Sequence, residues 1–230
     1  MTDQWMAGKQ PKYIPVTRFR IPVPNPAYGE YDPDRNFNED GPRNAGKTFQ
    51  YWEQMAIDFE KAYPGEKQLF SNGSFTPRST GTARFNEGIA AGERLIAMLE
   101  NGLSLADGET IKIIGHSQGA AMAAGIATVL AQHPKYKHLL EFVLYFSPHQ
   151  PGGFSHPEGI SGYQFSTMSD WVSSSGPLAR MLNSDYQLIK GAKWGVERES
   201  HLDGRKGHSI PTWLIDLRRW ARENNIPLYE

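Results

Sequence analysis

Cysteine is absent from all 230 residues. That removes disulfides, thiolate metal sites and a cysteine nucleophile together, and it leaves the compartment open, because a chain without disulfides suits any of them. Charge of one sign is also missing. The 24 lysines and arginines nearly balance the 25 aspartates and glutamates, for a formal net charge of −1, and no block of either sign gives an electrostatic reason to expect nucleic acid or an anionic membrane. No apolar run approaches bilayer-spanning length, so no transmembrane segment is expected. Met1 to Tyr13 is polar and lacks the charged-then-apolar layout of a secretion signal. The expectation is a soluble chain, cytoplasmic by default or exported by a signal-independent route. Internal repeats and low-complexity tracts are absent as well.

What is present is ordinary globular material, with 39% hydrophobic and 21% charged residues, close to the averages for folded domains. The length suits one domain over residues 1–230 with a proper core, residues 1–13 being a poorly ordered or extended lead.

Local patterns alternate between strand and helix. Ile14 to Val23 is apolar at alternate positions (Val16, Phe19, Ile21, Val23) and reads as a strand that Pro24 ends. A polar loop from Asn25 to Gly46 follows, long enough to suggest work at a binding site. Lys47 to Tyr63 places Phe49, Trp52, Ala56, Phe59 and Tyr63 on one helical face, and Pro64-Gly65 stops it. Lys67 to Ser71 reads as a short strand. Ala83 to Asn101 reads as a helix with Phe85, Ile89, Ile96 and Leu99 inward, stopped by Gly102.

The sharpest signal comes next. Ile111-Lys112-Ile113-Ile114-Gly115-His116-Ser117-Gln118-Gly119 is a β-branched run leading into a serine between two glycines, and an alanine- and glycine-rich helix runs on to Gln132. Strand, sharp turn and helix with Ser117 at the apex form the pattern of a nucleophile elbow. Glycines two before and two after the serine remove Cβ atoms that so tight a turn would bring into collision. The small residues Ala120, Ala121, Ala123, Ala124 and Gly125 are expected to let the helix lie close against the strand.

Beyond Pro134, Phe142 to Phe146 is a continuous apolar run of the kind a central parallel strand shows. His149 to Ser161 is a loop, and Gly162 to Met168 alternates as a strand. Pro177 to Leu182 reads as a short helix, and Tyr186 to Val196 as extended pieces broken at Gly191 and Gly195. Ser209 to Arg222 is a terminal helix with Ile210, Trp213, Leu214, Leu217 and Trp220 inward. Alternating strands and helices predict the α/β class: a three-layer α/β/α sandwich around a mostly parallel sheet.

This series, with the elbow in its middle, resembles the α/β-hydrolase fold in a compact lipase- or esterase-like version, from about Ile14 onward. The resemblance implies a serine followed in chain order by an acid and then a histidine. Chemistry asks for the same groups: a base within reach of the hydroxyl and a carboxylate to orient that base, both past the carboxyl ends of strands. Asp170, at the end of a predicted strand beside Trp171, matches the family's acid-bearing loop, with Asp185 the runner-up; Asp203 lies too near the candidate histidines and Asp216 lies inside the last helix. Among the histidines, His208 stands in the loop leading to the terminal helix, where the resemblance puts the base, with His201 second. His133 and His138 read as surface residues, His149 and His156 as loop residues that precede the acid, and His116 as packing.

The resemblance further implies an oxyanion hole built from the amide of Gln118 and a second N–H after the strand preceding the first helix. Ala27 or Tyr28 is expected there, since Pro26 has no N–H to offer; Asn72-Gly73-Ser74-Phe75 would take the role if the strand count were off by one unit. The segment Asp32, Asp34, Asn36, Asn38, Asp40 alternates oxygen ligands in the manner of a calcium loop. Yet Phe37 and Arg43 stand where such a loop needs glycine and glutamate, so a solvated loop is the better reading and no cofactor is expected. The connection from the Phe142 strand to the Gly162 strand is too short for a large lid domain.

The functional expectation is a serine hydrolase that cleaves carboxylic esters through an acyl-enzyme, acting on a small-molecule or lipid ester. The alternatives are a phospholipase-type bacterial antagonistic effector, neutralised by an inhibitor or immunity protein, and an inactive hydrolase-like binding module.

Overall fold

The two apolar runs around Ile113 and Val143 are neighbouring strands in the middle of one parallel sheet. The computed structural model of the protein describes residues 13–15, 55, 58–59, 80–101, 110–167, 188–196 and 210–228. In chain order these give β1 (Tyr13–Pro15), α1 (Gly81–Glu100), β2 (Thr110–His116), α2 (Gly119–Gln132), β3 (Leu140–Phe146), β4 (Ser161–Phe165), β5 (Lys193–Trp194) and α3 (Leu214–Glu223). Short 3-10 turns occupy Lys137–Leu139, Pro151–Gly153 and Ile210–Trp213. The strands lie side by side in the order β1-β2-β3-β4-β5, and every pair is parallel. This is an α/β fold. β1 supplies the first residues of the strand expected at Ile14 to Val23, whose later part lies outside the described residues, as do the expected strand at Lys67 to Ser71 and the short helix at Pro177 to Leu182.

Strand side chains alternate between faces, and here both faces are buried. Ile111, Ile113, Val143 and Tyr145 join one core with α1 and α2, whereas Ile114, Phe142, Leu144 and Phe146 join a second core with Trp213, Leu217 and Trp220. Met55 and Phe59, both in helical backbone, add to that second core, as the pattern over Lys47 to Tyr63 predicts for Phe59. Helices thus cover both sides of the sheet. Complete burial of one such aliphatic or aromatic side chain is worth about 1.5–3 kcal/mol. No helix among the described residues is long and apolar enough to cross a membrane.

Lys112, which the sequence places within the strand, is 2% exposed. A bulge explains how its charge is met. Ile111 pairs with Leu140 and Lys112 with Phe142, so Glu141 is the extra residue of β3. Its carboxylate accepts from Thr110 Oγ1 and lies 2.6 Å from Lys112 Nζ, which also donates to Thr110 Oγ1 at 2.8 Å.

The face of α1 differs from the expected stripe. Its buried residues include Gly88, Ala91, Gly92 and Leu95, while Phe85 and Ile89 are only half-buried. The helix meets α2 backbone to backbone, and glycine, which hydropathy scores poorly, makes the contact. A Cβ on Gly88 would lie 2.1 Å from the Met122 carbonyl oxygen, and one on Gly125 would lie 2.2 Å from that of Phe85. Gly125 therefore serves the helix–helix contact, a correction to the expectation that it brings α2 close to the strand. At its start α1 is capped by Thr80, whose side chain accepts from the Ala83 N–H, a contact worth about 1 kcal/mol.

The connection between β3 and β4 carries only the 3-10 turn and is held by a buried polar group. His156 is 4% exposed. Its Nε2 lies 3.0 Å from the Ile160 carbonyl, which can only accept, so Nε2 carries the proton and Nδ1 accepts from the Tyr145 hydroxyl at 2.7 Å. Burial lowers the His156 pKa below the ordinary histidine range, against a smaller opposing effect of the Ile160 carbonyl.

Two predictions follow from this packing. Gly88→Ala should cost at least about 3 kcal/mol, a fall in melting temperature of roughly 6–12 °C for a chain of this size; an unchanged melting temperature would show that the helices do not touch there. The second concerns pH. In the unfolded chain His156 takes up a proton as pH falls through about 6.5, and the folded state resists it, so stability present above that pH is lost below it. The urea midpoint of the parent should accordingly drop more between pH 7.5 and 5.5 than that of His156→Gln. Equal drops would remove His156 from the account.

Candidate active site

Two residues separate β2 from α2, and they make the turn. Ser117 has φ 57°, a left-handed conformation that costs a residue with a side chain of order 1–3 kcal/mol and persists only when the surroundings enforce it. Three backbone hydrogen bonds do so. The Ser117 N–H donates to the Phe146 carbonyl at 2.9 Å, and the Ser117 carbonyl accepts from the N–H groups of Ala120 and His149, both at 3.1 Å. Glycine at position 115 is a steric requirement, since a Cβ there would stand 2.7 Å from the Gly119 carbonyl oxygen and 2.8 Å from the Ala120 Cα. Helix α2 thus begins in contact with the strand that leads to it, as its small residues predict.

Gln118 is the N-cap of α2, with φ −64° and no side-chain cap. The N–H groups at such a start have no intrahelical acceptor, and the helix dipole adds partial positive charge where they point. Ten of the fourteen residues of α2 are buried. Ser117 itself is 2% exposed, and in so dry a setting fixed dipoles act more strongly than in water.

The elbow lies at the carboxyl edge of the sheet. Register aligns His116 with Phe146 and Phe146 with Phe165, so β2, β3 and β4 end in one row about 5 Å apart from strand to strand. Past that row, the Ser147 N–H donates to the Phe165 carbonyl at 2.8 Å, and Ser166 and Thr167 are fully buried. Trp213 Nε1 donates to Ser147 Oγ at 2.9 Å, so the terminal helix also starts at this edge. Loop residues lock α1 onto it: Gln150, at φ 51°, accepts the Gly81 N–H on Oε1 at 2.9 Å, and Thr82 Oγ1 donates to the Gly153 carbonyl at 3.1 Å.

Of the residues singled out in the sequence, Ser117 and Gln118 are described. Asp170, His208, Ala27 and Tyr28 lie outside the described residues, as do Asp185, His201, Asn72 to Phe75 and the acidic segment from Asp32 to Asp40. Asp170 follows Thr167 by three residues, and His208 precedes Ile210 by two. Among the described residues no cluster of three or more His, Asp or Glu side chains could hold a metal ion.

The other histidines take different places. His116 is fully buried. His138 is exposed, and His133 is half-buried and stacked on Tyr136. His156 belongs to the Tyr145 network described above. His149 reaches the elbow through its backbone, its N–H donating to the Ser117 carbonyl, and its place in the chain before the acid gives no sign of this. Sequence reasoning also missed Ser147 and Gln150, which bind neighbouring elements at this edge. The only signal for them is the density of proline and glycine from Pro148 to Gly153, which marks a turn without saying which side chains tie it down.

No family model matches the chain, and neither the curated proteins nor the solved structures compared with it give a match.

Proposed function

We propose that the chain is a serine hydrolase acting on carboxylic esters. The observation that carries this reading is Ser117: a residue at positive φ between a parallel strand and a buried helix, at the carboxyl edge of the sheet. Backbone strain in non-glycine residues clusters at functional sites, and a serine at the apex of a strand-to-helix turn, backed by helix N–H groups, is what acyl transfer needs. The choice of carboxylic ester rests on the resemblance to compact lipases and esterases.

The proposed reaction uses three side chains and two N–H groups. His208 takes the proton of the Ser117 hydroxyl as Oγ adds to the ester carbonyl carbon. Asp170 accepts a hydrogen bond from the far nitrogen of that ring and stabilises the imidazolium. The negative charge that develops on the carbonyl oxygen is met by the Gln118 N–H, with Ala27 or Tyr28 as the second donor; removing one such donor typically costs about 3–4 kcal/mol of barrier. The tetrahedral adduct expels the alcohol, which leaves with the proton from His208. Water, deprotonated by His208, then attacks the acyl-enzyme and releases the acid and free Ser117.

A fluorophosphonate probe tests the reading directly. The parent should be labelled covalently at Ser117 and should hydrolyse short aryl esters, and Ser117→Ala or His208→Ala should lower turnover by roughly 10³-fold or more. A parent that resists the probe, or a Ser117→Ala variant labelled as well as the parent, would falsify the assignment.

A further inference from the structure

We propose that His156 is an acid-sensitive latch: when its ring takes up a proton, residues 154–160 are released from the sheet while the strands and the turn at Ser117 stay folded. This is a local event, distinct from the loss of overall stability described above, and it holds whatever reaction Ser117 performs.

Parallel neighbours such as β3 and β4 are ordinarily joined through a helix. Here residues 147–160 make the crossing with one 3-10 turn, and the second half of the crossing is seated by His156. Its ring stands edge-on to that of Tyr145 on β3, with centroids 5.7 Å apart and planes at 81°. It also covers Gly162 of β4 so closely that a Cβ there would lie 2.5 Å from the nearest ring atom. Three further contacts act beside the ring: Phe154 is buried against Tyr145, Ser155 bridges to Lys190, and the His156 N–H donates to the Lys190 carbonyl at 2.8 Å. None of these three changes its protonation near neutral pH, so the ring alone makes the seat depend on acidity.

The neutral ring is satisfied at both nitrogens, Nε2 donating to the Ile160 carbonyl and Nδ1 accepting from the Tyr145 hydroxyl. A proton added at Nδ1 turns that acceptor into a donor. Two donors would then meet across 2.7 Å, and the phenol would have to turn its own hydrogen into a dry interior. Tyr145 does not become the counter-ion, because burial raises its pKa well above the ordinary tyrosine range. No carboxylate answers the charge either. Among the described residues, β3 offers Tyr145, β4 offers Gly162, the segment before β5 offers only the exposed and like-charged Lys190, and the acid of the crossing itself, Glu158, is exposed. Desolvation is accordingly what lowers the His156 pKa, opposed by the Ile160 carbonyl and by no charged group. A buried imidazolium without a partner is expensive, and moving the ring into water removes that cost.

The movement stays local because both ends of the segment are tied by groups that do not titrate. Upstream, the His149 N–H is held by the Ser117 carbonyl, the Gln150 side chain by the Gly81 N–H, and the Gly153 carbonyl by the Thr82 hydroxyl. Downstream, β4 is paired with β3 from Ser161 to Phe165. Between these ties Gly159 sits at φ 79° with no atom within 4 Å of where a Cβ would be, which gives the released piece a hinge with open space around it.

Amide hydrogen exchange on the full chain, resolved to single residues and corrected for the intrinsic effect of pH, tests this at pH 7.5 and 5.5. The reporter is the His156 N–H, and the references are the N–H groups of Ser117 and His149, which are bonded outside the segment. Opening at His156 should rise by about three- to ten-fold on going to pH 5.5, the gain set by an ordinary histidine pKa near 6.5 in the open form against a lower one in the closed form, while both references change by less than about two-fold. His156→Gln, which cannot titrate, should lose the step. Tyr145→Phe, which keeps the titrating ring, should open more at both pH values and keep the step, so the question is decided even if the glutamine variant does not fold. A parent whose His156 amide changes by less than about two-fold, references that rise together with it, or a step that survives in His156→Gln would overturn the proposal.

Discussion

A missing side chain governs the architecture. At Gly115 the strand that leads to Ser117 touches the helix that leaves it, with 2.7 Å between the place a Cβ would occupy and the Gly119 carbonyl oxygen. Any larger residue would push α2 off the sheet and open the turn, and Ser117 would lose the hydrogen bonds that hold its strained backbone. The same device recurs one layer out, where Gly125 of α2 and Gly88 of α1 let the two helices meet at backbone distance. Sheet, first helix and second helix are stacked by absences, and bulky residues fill only what remains: Ile111, Ile113, Val143 and Leu95 on that side of the sheet.

The two ends of the sheet solve their polar problems differently. At the amino end of β2 a buried ammonium, Lys112, is met by the Glu141 carboxylate that a bulge delivers. Such a pair, once desolvated, must keep both partners. At the carboxyl end several buried polar bonds join uncharged groups: Trp213 to Ser147, Tyr145 to His156, and Gln164, whose Oε1 accepts the Ile189 N–H while its Nε2 donates to Ser166, both at 2.9 Å. Each ties a strand or its end to a segment that follows. In the proposed chemistry the N–H groups at the start of α2 offer fixed dipoles to the transient anion.

Much of the scaffold was legible because burial on both faces leaves a plain record. Ile111 to Ile114 and Phe142 to Phe146 are continuous apolar runs, and they are neighbouring interior strands. Ser117 was legible because a serine flanked by glycines, between such a strand and an alanine-rich helix, has few other conformations open to it. The inward residues Trp213, Leu217 and Trp220 were read correctly from their spacing. Failures came where contact depends on shape or on distant partners. Phe85 and Ile89 were placed inward by hydropathy, although Gly88 and Gly92 make the approach. The burial of Lys112 depends on Glu141, which reaches it only across a bulge in another strand. That Trp213 faces inward was readable, but its bond to Ser147, 66 residues away, leaves no periodic trace. For the proposed acid, base and second oxyanion donor, predicted strand ends and the family resemblance point to Asp170, His208 and either Ala27 or Tyr28, all outside the described residues.

The side-by-side order of β2, β3 and β4 also bears on how the molecule assembles. These strands, with α2 between the first two, occupy the unbroken stretch from 110 to 165, so they can pair while closing only short loops, and short loops carry the smallest entropic penalty. The contacts that complete the molecule reach much further: Trp213 to Ser147 spans 66 residues, and Arg218 to Asp58, through Nε and Nη2 on one carboxylate oxygen, spans 160. During synthesis the strained serine turn thus becomes available well before the terminal helix emerges. A chain interrupted before α3 would hold the turn at Ser117 while the second core still lacked Trp213, Leu217 and Trp220.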